Sequence, residues 1–71
     1  MTEVRAEITA NVWQVRTVVG ADVAEGDELI ILESMKMEIP VAAPGPGRVA
    51  ELRVVPDDKV QEGDVLVVLD P

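Results

Sequence analysis

The 71-residue chain has no cysteine, histidine, tyrosine or phenylalanine, and Ser34 is its only serine. Without cysteine there is no disulfide and no thiolate nucleophile, and without histidine there is neither an imidazole base nor a zinc site of the usual ligands. A catalytic triad or dyad assembled within the chain is therefore excluded. Basic side chains are scarce as well, 6 against 14 acidic ones, giving a formal charge of −8. That sign excludes nucleic acid as a partner, because phosphates are bound by lysine and arginine. It argues equally against an anionic membrane surface. No apolar run approaches the ~18 residues of a membrane span, and Met1-Thr2-Glu3-Val4-Arg5 begins no signal peptide. The expectation is a soluble cytoplasmic protein without catalysis of its own.

Aliphatic residues dominate what remains. Hydrophobic residues make up 48% of the chain, yet Trp13 is its only aromatic, and 14 Val and 4 Ile stand against 5 Leu. Side chains branched at Cβ fit a pleated sheet better than a helix. Turn signals recur at short intervals: Gly20-Ala21-Asp22, Glu25-Gly26-Asp27, Ser34-Met35-Lys36, Pro44-Gly45-Pro46-Gly47, Pro56-Asp57-Asp58 and Glu62-Gly63-Asp64. Between them the period is that of a strand. Over Val12 to Val19 it puts Trp13, Val15, Thr17 and Val19 on one face; over Val49 to Val55 it puts Ala50, Leu52 and Val54 there. Leu29-Ile30-Ile31-Leu32 and Leu66-Val67-Val68-Leu69 are unbroken apolar runs, expected of strands buried on both faces. The reading is one all-β domain over residues 1–71.

The domain is internally duplicated. A shift of 37 positions lays Val12, Arg16, Val18, Val23, Glu25, Gly26, Asp27, Leu29 and Leu32 on Val49, Arg53, Val55, Val60, Glu62, Gly63, Asp64, Leu66 and Leu69. These identities fall in one ungapped window. Half-repeats of about 6–33 and 43–70 follow, related by an approximate two-fold axis and burying each other's apolar faces as a sandwich or flattened barrel. The duplicated Glu-Gly-Asp triplets are then turns rather than sites. Neither they nor Asp57-Asp58 offer the spaced oxygen ligands of a calcium loop.

One segment has no copy: Ser34-Met35-Lys36-Met37-Glu38, between a strand ending at Glu33 and one running from Ile39 to Ala43. It is expected to form a hairpin tip, with Lys36, the central residue of the chain, protruding. Methionine is flexible and polarizable, suited to a surface gripped by several partners, although Met35 and Met37 could instead fold back as gap-fillers. Nucleophilic lysines are activated by burial or neighbouring cations. Lys36 is flanked by Glu33 and Glu38, so the residues suggest an acceptor modified by another enzyme rather than a Schiff-base catalyst. The second lysine, Lys59, reads as a solvated charge beside Asp57 and Asp58.

Glu33-Ser34-Met35-Lys36-Met37-Glu38, set between duplicated units ending in Glu-Gly-Asp, resembles the biotinyl domain of biotin carboxyl carriers over essentially the whole chain. The resemblance implies a flattened β-barrel of two four-stranded antiparallel sheets with quasi-two-fold symmetry, and both chain ends opposite the lysine. It implies covalent biotin on Lys36, recognition through Met35 and Met37, and ligase contacts from Glu33, Ser34 and Glu38. The implied partners are a biotin protein ligase, a biotin carboxylase and a carboxyltransferase acting on an acceptor such as an acyl-CoA, the carrier being a monomer when free. Related lipoyl domains have Asp-Lys-Ala-like surroundings at this position; a lipoyl carrier and an unmodified β-barrel interaction module are the alternatives. Three departures stand out. Ser34 replaces a common Ala, and Ala6–Val12 lacks the Pro and Gly of its counterpart Ala43–Val49. No segment corresponds to the protruding thumb of some bacterial carriers, and Met1 opens almost directly into strand pattern, as a free-standing subunit would.

Overall fold

The computed structural model describes residues 1–71, all strands and turns. The strands are β1 (Thr2–Arg5), β2 (Ala10–Val15), β3 (Asp22–Val23), β4 (Glu28–Ser34), β5 (Met37–Ala42), β6 (Gly47–Leu52), β7 (Lys59–Val60) and β8 (Val65–Asp70). Two four-stranded antiparallel sheets form, in the orders β1-β8-β6-β3 and β5-β4-β2-β7. The 37-residue shift carries the first order onto the second strand by strand, so the sequence duplication is the symmetry of the fold.

The inter-sheet links repeat in the same way. Ala6 N–H donates to the Asp64 carbonyl at 2.9 Å and Ala43 N–H to the Asp27 carbonyl at 2.8 Å; Gly26 and Gly63 return bonds to the Ala43 and Ala6 carbonyls at 2.9 and 2.8 Å. Thus the first half's loop, without Pro and Gly, is anchored like its counterpart. Gly26 and Gly63 occupy the left-handed region at φ 90° and 93°. The following Asp27 and Asp64 carboxylates accept from Ala24 and Gln61 N–H at 2.9 and 2.8 Å. The two Glu-Gly-Asp triplets are therefore turns built to one plan.

The core is wholly aliphatic. Leu29, Ile30 and Leu32 of β4 meet Leu66, Val67 and Leu69 of β8, with Val12 and Val49 between, and no polar residue is buried. Ile31 and Val68, on the outer faces, are buried too. Ile31 lies between Gln14 and Pro40, and Val68 between Glu3 and Glu51. Those side chains cover the outer faces, so the two unbroken apolar runs are buried on both sides as the sequence suggests.

The faces of β2 and β6 differ from the strand-period reading. Trp13 is 42% exposed, while Val12 and Val49 are buried at 1%. Pairing of β2 with β4 slips between Val12 and Gln14, and pairing of β6 with β8 slips between Val49 and Glu51. Each slip is a bulge that adds one residue, Trp13 or Ala50, and exchanges the faces on either side of it. The strands also stop at Val15 and Leu52, leaving Val18, Val19 and Val55 exposed in the loops beyond.

A long axis of 33 Å, against 17 Å across, gives the molecule two distinct ends. The β4–β5 hairpin closes one. The short link from Ala42 to Gly47 runs from the far end of β5 to the start of β6, beside the last strand residue, Asp70. Thr2 pairs with Leu69 there, so both chain ends lie away from the hairpin. Gly47 is required at this crossing: a Cβ would sit 2.6 Å from the Asp70 carbonyl oxygen.

Candidate functional site

The hairpin tip is tighter than a 34–38 loop. β4 continues through Ser34, β5 begins at Met37, and these two residues form the last pair. Only Met35 and Lys36 turn the chain, at φ 51° and 64°. Two consecutive left-handed residues make a type I′ turn, which Asn-Gly fills with least strain. Met and Lys each carry a Cβ that collides with the following carbonyl in this conformation, at a cost of roughly 1–2 kcal/mol per residue. One rung below, Glu33 faces Glu38 directly across the strands, where like charges repel. Two local rules are broken within six residues, the pattern expected where sequence serves something other than folding.

Exposure settles the role of the methionines in the fold. Met35 is 92% and Met37 65% exposed, so neither fills a core gap. Together they flank Lys36 with apolar surface on an otherwise charged tip. Glu33, Lys36 and Glu38 are exposed and Ser34 is half-buried. The arginines provide a contrast. Arg5 pairs with Glu3, Arg16 with Glu28 at 4.0 Å, Arg48 with Asp22 at 3.2 Å and Arg53 with Glu51 at 3.1 Å. Neither lysine has a carboxylate partner, and the Lys36 side chain is open to solvent.

Lys59 is exposed, as a solvated charge should be, and it belongs to a strand rather than to the loop before it. Asp58 turns its carboxylate to Val55 N–H at 3.0 Å, and Asp57 adopts φ 78° to make the turn. Both aspartates serve the loop, and Lys59 leaves it as the first residue of β7. There it pairs with Asn11, which pairs in turn with Glu33. Glu38, Glu33, Asn11 and Lys59 thus form one rung across the whole sheet, at its tip end. The sequence holds a clue to this: the repeat partner of Lys59 is Asp22, so folding alone does not demand a lysine there.

Comparison with known proteins agrees with this geometry. The sequence model of the family described as "Biotin-requiring enzyme" matches residues 2–69. The chain is 46% identical over 67 residues to a protein of Mycobacterium leprae named "Biotinylated protein TB7.3 homolog", covering 94% of each. It superimposes with TM-score 0.87 and 35% identity on part of a single-chain, multi-domain long-chain acyl-CoA carboxylase, over 99% of this chain and 7% of that one. It likewise matches part of the Kluyveromyces lactis urea carboxylase with TM-score 0.90 and 34% identity, over 96% of this chain and 6% of that one. The chain therefore spans only a small fraction of those carboxylases.

Proposed function

Because the chain belongs to the biotin/lipoyl attachment family, we propose that it is a biotin carboxyl carrier in which Lys36 is the site of covalent biotin. The observation that carries this reading is the tip itself: a lysine without an ion-pair partner, between two exposed methionines, on a strained two-residue turn. Folding rewards none of these features, whereas a lysine that a ligase must recognise and reach is served by each of them.

The residues fit the group. A ligase that activates the biotin carboxyl with ATP must reach an amine from outside, and Lys36 stands at the extremity of the long axis. The deprotonated Nζ attacks the activated carboxyl, an amide bond forms, and the activating group leaves with its bonding electrons. The ammonium gives up two protons in all, one to become the attacking amine and one as the amide forms, and the loss of its positive charge takes the chain from −8 to −9. The type I′ turn fixes the direction in which the side chain leaves the domain. Met35 and Met37 give ligase and carboxylase one apolar handle, and Glu33, Ser34 and Glu38 supply polar contacts to the ligase.

When bound, biotin supplies a ureido nitrogen able to carry a carboxyl group. The protein's contribution is mechanical and electrostatic. A rigid post holds a long arm and raises the group's effective concentration at a biotin carboxylase and then at a carboxyltransferase, whose acceptor we take to be an acyl-CoA. The reaction centres belong to those partners, and the carrier acts as a monomer in the cytoplasm, where its ligase works. The acidic surface steers it toward basic rims on its partners, an attraction that salt weakens.

Co-expression with a biotin protein ligase tests the assignment. Intact mass should rise by one biotinyl group, with a streptavidin gel shift, and both should vanish in Lys36→Arg. No mass increase, or labelling that survives Lys36→Arg, overturns the reading; an adduct of lipoyl mass at Lys36 replaces it with the lipoyl carrier.

A further inference from the structure

Beside the tip lies a hollow of about 320 Å³, the lower end of the range for small-molecule sites. Its lining includes Met35 from the tip, and Thr9, Asn11, Glu33, Lys59 and Gln61 bring polar groups to it. The two-fold symmetry supplies a control for this place in the fold. At the opposite end of the molecule the equivalent rung reads Asp70, Arg48, Asp22, paired in the same register. There the charges are closed off, with Arg48 Nε donating to the Asp22 carboxylate at 3.2 Å. At the tip end the same three positions are Glu33, Asn11 and Lys59, and no ion pair forms among them. One half of the domain pairs its cation with a carboxylate in this rung, while the other keeps an unpaired ammonium, a carboxamide and a carboxylate in a row beside the tip.

We infer that this hollow is a resting site for the biotin head group carried on Lys36, an inference that rests on the function proposed above. The ligand it suits is a cyclic urea, which presents one carbonyl acceptor and two N–H donors on one edge and hydrocarbon on its other faces. Lys59 and the carboxamide N–H groups of Asn11 and Gln61 can donate to the carbonyl, and Glu33 can accept from an N–H. The exposed Met35 side chain offers an apolar contact for the hydrocarbon side. Reach permits this. Lys59 lies two strands from Glu33, roughly 10 Å. Lysine plus the valeryl chain spans about eleven bonds, roughly 14 Å when extended. The arm can therefore fold back onto its own domain without moving the sheet, shielding the head group between visits to partner active sites.

Isotope-labelled protein, prepared with and without ligase and biotin, tests the inference by NMR after intact mass has established loading. The expected result is a change in amide shifts at Thr9, Asn11, Lys59 and Gln61 on biotinylation, with nuclear Overhauser contacts between head-group protons and the side chains of Asn11 and Gln61. Lys59→Ala, still loaded at Lys36, should lower the ratio of docked to free head group about fivefold, the loss of one net hydrogen bond. Shift changes confined to residues 34–38 in a fully loaded chain, or docking indifferent to Lys59→Ala, overturn the resting site and leave the carrier reading standing. A chain that takes up no biotin overturns both.

Discussion

The strain at the hairpin tip can be measured by removing it. Replacing Met35 and Lys36 with Asn and Gly (Met35→Asn, Lys36→Gly) supplies the pair that a type I′ turn favours, while leaving the Ser34–Met37 closing pair intact. At φ 51° and 64° the native residues carry roughly 1–2 kcal/mol each of steric cost. Asn relieves part of its share by tolerating the left-handed region. Gly relieves all of its own but gives back about 0.5–1 kcal/mol because it orders a more flexible chain. A net gain of about 1–2 kcal/mol follows, and in a domain of this size each kcal/mol raises Tm by about 4–8 °C. Urea unfolding followed by far-UV circular dichroism should show the midpoint moving up with the slope m unchanged. On the proposed assignment the same variant lacks the acceptor amine and should take up no biotin, so stability and function separate in one protein. A midpoint that stays put or falls would mean that the native tip stores no strain, and would remove the main structural reason for reading it as a functional site.

Other consequences follow from particular side chains. Met35→Ala and Met37→Ala should each change stability by less than about 0.5 kcal/mol, since both side chains stand in solvent, yet slow ligation measured by mass spectrometry; a large loss of stability in both would make them core residues. Trp13→Ala should cost about 1 kcal/mol, against the 3–5 of a buried tryptophan, because Trp13 is 42% exposed and its twin position is Ala50; chemical denaturation read by circular dichroism decides. Gly47→Ala should lower Tm sharply, as its Cβ would lie 2.6 Å from a backbone oxygen, whereas Gly45→Ala meets nothing within 4 Å and should melt like the parent.

What the sequence revealed and what it hid have physical causes. The runs Leu29–Leu32 and Leu66–Leu69 were legible because a strand buried on both faces leaves an unbroken apolar signature. The faces of β2 and β6 were not, because a bulge inserts one residue and inverts a two-residue period without requiring any particular side chain. The strands β3 and β7 are two residues each, too short to show a period, and lie within segments whose Gly, Pro and Asp read as turns. Lys36 was legible because it lies in the one stretch without a copy. The strand position of Lys59 was hidden because its neighbours in sequence, Asp57 and Asp58, are committed to the turn, while its neighbour in space, Asn11, is 48 residues earlier.

Duplication offers a sharper criterion than pattern matching. Two positions related by the repeat occupy equivalent places in the fold and meet nearly the same structural demands. Identity between them, as at Gly26 and Gly63, reports a demand of the fold. Difference reports freedom from it, and a difference toward greater strain or unpaired charge needs another cause. By that test two departures stand out. Asp57 takes φ 78° where its twin Gly20 takes 92°, so a residue with a Cβ stands where the repeat has glycine. Arg48 with Asp22 becomes Asn11 with Lys59, and an ion pair is lost. The second lies one rung below the closing pair of the Met35–Lys36 turn, on the same sheet, and leaves a lysine without a carboxylate. That nearness is what the proposed biotin arm and its resting site call for, and the loading and docking experiments decide whether one ligand accounts for both.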